Sequence, residues 1–159
     1  MKVNSERLKD SMDTLEKSHN WPVGLVGKLS SFISDGDDYD LFRVNPLKFA
    51  DEYHISSLDG IDLFLWATKL NIFQMNWELL CPGCGDHIQS FRHLNTMHDK
   101  MFCSLCQREQ IASLDDWIQV TFTVNPKIRV IKFHHPESLS IEEFIFEYHF
   151  TRGARLNKK

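Results

Sequence analysis

The sequence predicts an α+β fold: N-terminal helices that include a helix-turn-helix-like pair, followed by a four-cysteine ribbon and an antiparallel β-hairpin. Three observations carry that expectation. Apolar residues recur at helical spacing as far as Leu70, they alternate at strand spacing from Ile118 to Val124, and all four cysteines fall into two C-x-x-C pairs.

Leu8, Met12 and Leu15 lie on one helical face, with Glu6, Arg7, Lys9, Asp10, Asp13 and Lys17 on the others, which predicts a short amphipathic helix. A second stripe of Leu25, Val26, Leu29, Phe32 and Ile33 follows Trp21-Pro22, and Pro22 suits a first helical turn. The acidic stretch from Asp35 to Asp40 then breaks the pattern. It reads as a solvated turn and not a calcium loop, because an EF-hand counted from Asp35 would need glutamate where Pro46 stands.

Asn45 is a plausible N-cap with Pro46 at the first helical position, and Leu47, Phe49, Ala50 and Tyr53 supply an apolar face through His54. Ser56-Ser57-Leu58-Asp59 reads as a turn, after which Ile61, Leu63, Phe64, Leu65, Trp66, Ala67 and Leu70 predict an apolar helix ending near Asn71. Two helices so joined resemble a helix-turn-helix, with Asn71 to Leu80 as the following strand or wing.

Ile118, Val120, Phe122 and Val124 alternate against a more polar face. Asn125-Pro126-Lys127 turns the chain, and Ile128 to Phe133 is expected to return as the second strand of a hairpin that Pro136 ends. Phe144, Phe146, Tyr148 and Phe150 alternate like a strand, whereas Ser140-Ile141-Glu142-Glu143 spells a capping box; a helix from Ser140 to about Phe150 is preferred. With Phe32, these four aromatics are candidates for a partner-binding face, the alternative being core. Arg152, Arg155, Lys158 and Lys159 form a basic tail. The organisation expected is a helical segment at 1–40, the helix pair with ribbon and hairpin at 41–136, and a C-terminal helix and tail at 137–159.

The 159 residues are 42% hydrophobic, enough to bury a core, and a formal charge of -4 argues against a phosphate backbone as the main partner. No stretch has the apolar core of a signal peptide or the ~20 apolar residues of a membrane helix, so a cytoplasmic protein is expected. In that reducing compartment disulfides are rare, and the cysteines point to metal or redox chemistry.

The spacing C-x2-C-x18-C-x2-C reads as a zinc ribbon with Cys81, Cys84, Cys103 and Cys106 as ligands. Each C-x-x-C folds as a knuckle offering two thiolates, and tetrahedral closure needs two knuckles face to face. Pro82 and Gly83 favour the first turn, and Gly85 lets the backbone pass the ion. A thioredoxin-like motif would leave the second pair unexplained, and a catalytic zinc keeps an open position that four cysteines close. The ion expected is structural, and the loop from His87 to Met101 should lose its order without it. His87, His93 and His98 lie between the knuckles as alternative ligands, more simply read as surface groups; His134-His135 is a weaker second site, since adjacent side chains diverge on extended chain.

For nucleic acid the ribbon offers Arg92, Lys100 and Arg108 against Asp86, Asp99 and Glu109, with Phe91 and Phe102 available for stacking, so its charge cancels. The second helix of the pair offers only Lys69. No G-x-S-x-G, P-loop or H-E-x-x-H is present, and Glu142, Glu143 and Glu147 read as a solvated face, so no enzyme is expected.

The runs Arg43-Val44-Asn45-Pro46-Leu47-Lys48-Phe49-Ala50-Asp51, Asp62-Leu63-Phe64-Leu65-Trp66-Ala67, Asn76-Trp77-Glu78-Leu79-Leu80-Cys81-Pro82-Gly83-Cys84 and Val120-Thr121-Phe122 resemble an uncharacterised cysteine-ribbon domain of bacterial proteins. That domain often stands N-terminal to class III adenylate or guanylate cyclase catalytic domains. The resemblance covers about Phe42 to Pro136. It implies a regulatory or interaction module of signalling proteins, with the same four cysteines as metal ligands, and does not imply cyclase activity here. The functional expectation is a noncatalytic zinc-binding module, a subunit of a larger bacterial assembly or signalling system, with a protein partner and room for homo-oligomers. The alternative is a DNA- or RNA-binding regulator.

Overall fold

In the computed structural model, which describes residues 3–96, 100–111 and 117–149, helix α1 spans Ser5–Ser18. Asn4 caps it by accepting the Arg7 N–H at 3.1 Å, and Leu8, Met12 and Leu15 are buried as the spacing predicts. α2, Leu25–Asp35, starts later than expected from Pro22. Gly24 is left-handed at φ 79°, and the Pro22 carbonyl accepts the Leu25 N–H in a turn ahead of the helix. Phe32, a candidate partner residue, is instead buried in the core 5.2 Å from the Phe49 ring.

The acidic loop after α2 is a clamp as well as a turn. Asp37 accepts the Asp40 N–H, while Asp38 accepts the Lys132 N–H at 2.9 Å and pairs with Arg129. The buried Arg129 guanidinium also donates to the Ile33 and Ser34 carbonyls, where α2 leaves orphan acceptors.

α3, Pro46–Glu52, and α4, Ser57–Lys69, form the predicted pair. Asn45 caps α3 through the Leu47 and Lys48 N–H groups. Ser56 caps α4 through the Asp59 N–H at 3.0 Å, so the stretch expected to be a turn is the cap and first turn of α4. Gly60 sets the approach: a Cβ there would lie 2.9 Å from the Ala50 Cβ and 3.0 Å from the Pro46 carbonyl oxygen. Phe64 projects from α4 into an aromatic core, its ring 5.3 Å from Phe49, 5.0 Å from Phe73 and 5.2 Å from Phe122.

The strands are β1 Phe73–Leu80, β2 His87–Phe91, β3 Lys100–Cys103, β4 Arg108–Ile111 and β5 Ile118–Val124. They form a three-stranded sheet in the order β2-β1-β5 and a separate β3-β4 hairpin. The expected hairpin between β5 and Ile128–Phe133 is not formed. Asn125 instead accepts the N–H groups of Ile128 and Arg129 on its carbonyl and that of Lys127 on its side chain, and a 3-10 turn covers Lys132–His134. The apolar spacing explains this: Ile128, Ile131 and Phe133 are buried, a set that does not keep strand alternation. The Ile128 carbonyl accepts from Asn4, and Arg129 makes an isolated bridge with Val3.

α5, Ile141–His149, resolves the ambiguous C-terminal segment as helix. Its capping box is closed in both directions, Glu143 N–H to the Ser140 hydroxyl and Ser140 N–H to the Glu143 carboxylate. The described residues divide into two compact units, drawn from Met1–Met75 with Thr121–His135 and from Asn76–Val120 with Pro136–Lys159. The second has a small core of Leu79, Phe91 and Met101, edged by half-buried Trp77, Ile88, Trp117 and Ile118. Among the described residues no helix is long and apolar enough to cross a membrane.

Candidate metal centre

Two strands deliver the cysteines. β1 ends at Leu80 and hands Cys81 into a tight turn whose closing bond runs from the Gly85 N–H to the Cys81 carbonyl at 2.8 Å. β3 ends on Cys103, and the Gln107 N–H closes the same bond to its carbonyl at 2.9 Å. Both closing residues are left-handed, Gly85 at φ 71° and Gln107 at φ 55°. One knuckle geometry is thus built twice, once with glycine and once with a residue that carries a Cβ.

The four Sγ atoms lie within 4.8 Å of one another. Cys81 and Cys106 are 3.8 Å apart, and Cys84 and Cys103 are 3.7 Å apart. A tetrahedron with zinc–sulfur bonds of about 2.3 Å has edges of about 3.8 Å, whereas a disulfide holds its sulfurs at about 2.0 Å. Both cross-knuckle pairs therefore sit at the separation a tetrahedral ion requires, and all four thiols are free. The set is compatible with a metal site. Among the described residues no other cluster of three or more His, Cys, Asp or Glu side chains could hold an ion.

As thiols these groups oppose one another. The Cys84 pKa is pushed up to about 12, first by desolvation, with the Cys106, Cys81 and Cys103 thiols adding to it against the Asp86 N–H. For Cys81 desolvation also acts upward, yet the N–H groups of Cys84 and Gly83 outweigh it and the pKa falls. A divalent cation bound here would hold all four sulfurs as thiolates and remove that conflict.

Two buried acids carry no ligand signature in the sequence, and one of them, Asp86, sits at this centre. Asp86 is 1% exposed and reaches three of the cysteines: its carbonyl accepts the Cys81 N–H at 2.7 Å, its N–H faces the Cys84 sulfur, and its Oδ2 lies 3.8 Å from the Cys103 Sγ. Its place directly after the knuckle glycine is the one sequence signal of that role. Glu78 is 2% exposed, although strand alternation between Trp77 and Leu79 marks it as outward-facing. A bulge between Leu79 and Leu80 in the β1–β2 ladder re-aims His87, whose Nε2 hydrogen-bonds the Glu78 carboxylate. Ser90 donates to the same carboxylate oxygen and lies 3.2 Å from the same ring nitrogen. Both contacts fall on the same imidazole nitrogen, whereas a nucleophile–base–orienter relay uses both, and the three side chains form a partly buried polar cluster.

The remaining histidines fall outside the cysteine set. His93 is exposed, its carbonyl accepting from Thr96; His98 lies outside the described residues. His134 uses both ring nitrogens on backbone, Nδ1 accepting the Ile131 N–H at 3.2 Å and Nε2 donating to the Val124 carbonyl at 2.8 Å. That excludes the second metal site considered at His134-His135. Burial holds the His134 pKa below its usual value. On α5, Ile141, Phe144 and Ile145 are exposed by 79%, 39% and 42%. Phe146 and Tyr148 lie along α5, and Phe150 and the basic tail of Arg152, Arg155, Lys158 and Lys159 lie outside the described residues.

A family model described as "Family of unknown function (DUF5939)" matches residues 6–159. No curated protein and no solved structure matches the chain.

Proposed function

The chain belongs to the DUF5939 family, and we propose that it is a noncatalytic zinc-binding module that docks or regulates a protein partner. The observation that carries this reading is the convergence of four thiol sulfurs, two pairs of them already at the edge length of a zinc–thiolate tetrahedron. Four protein ligands close the coordination shell, leaving no position for a substrate or an activated water, so the ion's role is to hold the two knuckles together.

The partner surface we favour is the exposed apolar side of α5, where Ile141, Phe144 and Ile145 meet solvent; Phe146 and Tyr148 belong to the same helix. The resemblance to domains that precede class III cyclases supports a signalling protein as the setting. A second reading, a DNA- or RNA-binding regulator, draws support from one observation: Arg92, Lys100 and Arg108 are exposed beside the exposed Phe102, while Asp86 is withdrawn from the surface.

Elemental analysis of the purified chain is expected to find one zinc per chain, and a metal-free chain that is fully folded would overturn the proposal. Light scattering and capture of partners by wild type, compared with Phe144→Asp and Ile145→Asp variants, test the docking face. Binding to a fluorescent oligonucleotide with a steep salt dependence would promote the second reading.

A further inference from the structure

The four cysteines are not equally protected. Cys81 and Cys103 are buried, Cys106 is half-buried and Cys84 is exposed. Cys103 is further shielded by the Cys106 N–H, 3.4 Å from its sulfur. Cys103 places its sulfur 3.7 Å from that of Cys84 across the two knuckles, and Cys81 and Cys106 form a second cross-knuckle pair at 3.8 Å.

We propose, resting on the zinc reading above, that the centre is a reversible hydroperoxide-sensitive switch in which Cys84 is oxidised first and closes onto Cys103. The Cys84 thiolate attacks a peroxide oxygen; the O–O bond breaks, a sulfenic acid forms and one water leaves once protonated. The Cys103 thiolate then attacks the Cys84 sulfur; the S–S bond forms, the S–O bond breaks and hydroxide leaves to become a second water. One hydroperoxide thus removes two electrons from two thiols. Zinc keeps its oxidation state and departs, because the two remaining thiols cannot close a tetrahedral shell.

The pairing decides what kind of switch this is. A bond within one knuckle, Cys81 to Cys84, would let the two knuckles separate. A bond from Cys84 to Cys103 keeps them joined while the ion is gone, and it leaves Cys81 beside Cys106 for a second equivalent of oxidant. The oxidised chain therefore keeps the two knuckles tethered after the ion has gone, and reduction with added zinc restores the centre.

The test uses the zinc-loaded full chain, hydrogen peroxide below one equivalent and a chromogenic zinc chelator. Zinc should appear in step with peroxide consumed, peptide mapping should find the Cys84–Cys103 disulfide, and dithiothreitol with zinc should reverse both. Iodoacetamide on the zinc-loaded chain, read by mass spectrometry, should label Cys84 at least about tenfold faster than the buried Cys81 and Cys103. Zinc retained under peroxide, first labelling at Cys106, or a Cys81–Cys84 bond as the first product would overturn the inference while leaving the metal reading standing. A purified chain that holds no zinc would instead overturn the metal reading on which both rest.

Discussion

Removing the cation should unfold the second unit and spare the first. The second unit's core consists of three buried apolar side chains, Leu79, Phe91 and Met101, with four half-buried residues at its edge. Burying a side chain of that size is worth about 1.5 to 3 kcal/mol, so the fully buried three contribute roughly 5 to 9 kcal/mol before any chain entropy is counted. Structural zinc supplies about 10 to 16 kcal/mol in small zinc folds. A bound zinc would thus stabilise this unit more than its apolar core does, and without it the β1–β2 and β3–β4 pairings are expected to be lost. The first unit holds its own aromatic core around Phe64, Phe49, Phe73 and Phe122, none of it dependent on the ion. Hydrogen exchange with and without a strong chelator is the assay. Amides of β2, β3 and β4 should lose at least about 100-fold in protection, equivalent to about 2.7 kcal/mol, while those of α2 and α4 change little. Cys103→Ser should give the same map without chelator. Protection retained from His87 to Phe91 and from Lys100 to Cys103 after removal of the ion would refute the reasoning.

Four further perturbations have defined outcomes. Gly60→Ala improves helix propensity by about 1 kcal/mol, yet its Cβ would meet Ala50 at 2.9 Å and the Pro46 carbonyl at 3.0 Å; the clash dominates, and urea denaturation should show a net loss of about 1 to 2 kcal/mol. Gln107→Gly relieves a left-handed residue at φ 55° and should gain about 0.5 to 1 kcal/mol after glycine's entropy cost, read as tighter zinc in a competition titration. Asp86→Asn removes a carboxylate 3.8 Å from a sulfur that becomes a thiolate in the filled site, and should tighten zinc by about tenfold or more; weaker binding would show that the carboxylate supports the centre. His134 has a lowered folded pKa, so the unfolded chain takes up its proton first as pH falls. Its contribution to stability is complete above about 6.5 and declines below that, by up to about 1.4 kcal/mol per pH unit. The urea midpoint between pH 7.5 and pH 5.5 should fall less steeply in His134→Asn.

The helices and the metal set were legible in the sequence because each rests on local rules. Asn45 and Ser140 announce helix starts through bonds to residues two or three positions on, and the C-x-x-C knuckle closes within five residues, whereas Ser56, read as part of a turn, proves to cap α4. What was not legible depends on tertiary partners. Ile128 to Phe133 looks like a strand by composition, but Asn125 folds it back on itself and Asp38 claims the Lys132 N–H. Glu78 looks solvent-facing by alternation, but His87 and Ser90 across the β1–β2 ladder allow it to be buried. Phe32 looks free to meet a partner only until α3 brings Phe49 against it.

The choice between a protein and a nucleic-acid partner turns on charge, and burial changes the sum. In the sequence the ribbon's charges cancel pair by pair, with Asp86 counted among the acids. With Asp86 buried, the charged residues exposed among those described from Asp86 to Ile111 are Arg92, Lys100 and Arg108 against Glu109, an excess of two positive charges. A divalent cation with four thiolates carries two negative charges, and an electrostatic account that omits the centre is incomplete. With Asp86 and Asp99 counted, Arg92, Lys100 and Arg108 only offset the three acids, so a filled centre would leave the ribbon at about -2 and an approaching phosphate backbone would meet a net negative charge. If this balance is right, zinc loading weakens any binding of an oligonucleotide and flattens its salt dependence, whereas a nucleic-acid regulator would need the opposite. Anisotropy titrations of the zinc-loaded chain and the Cys103→Ser variant at two salt concentrations separate the two cases: tighter, more salt-sensitive binding by the loaded chain would favour the regulator over the protein-docking module.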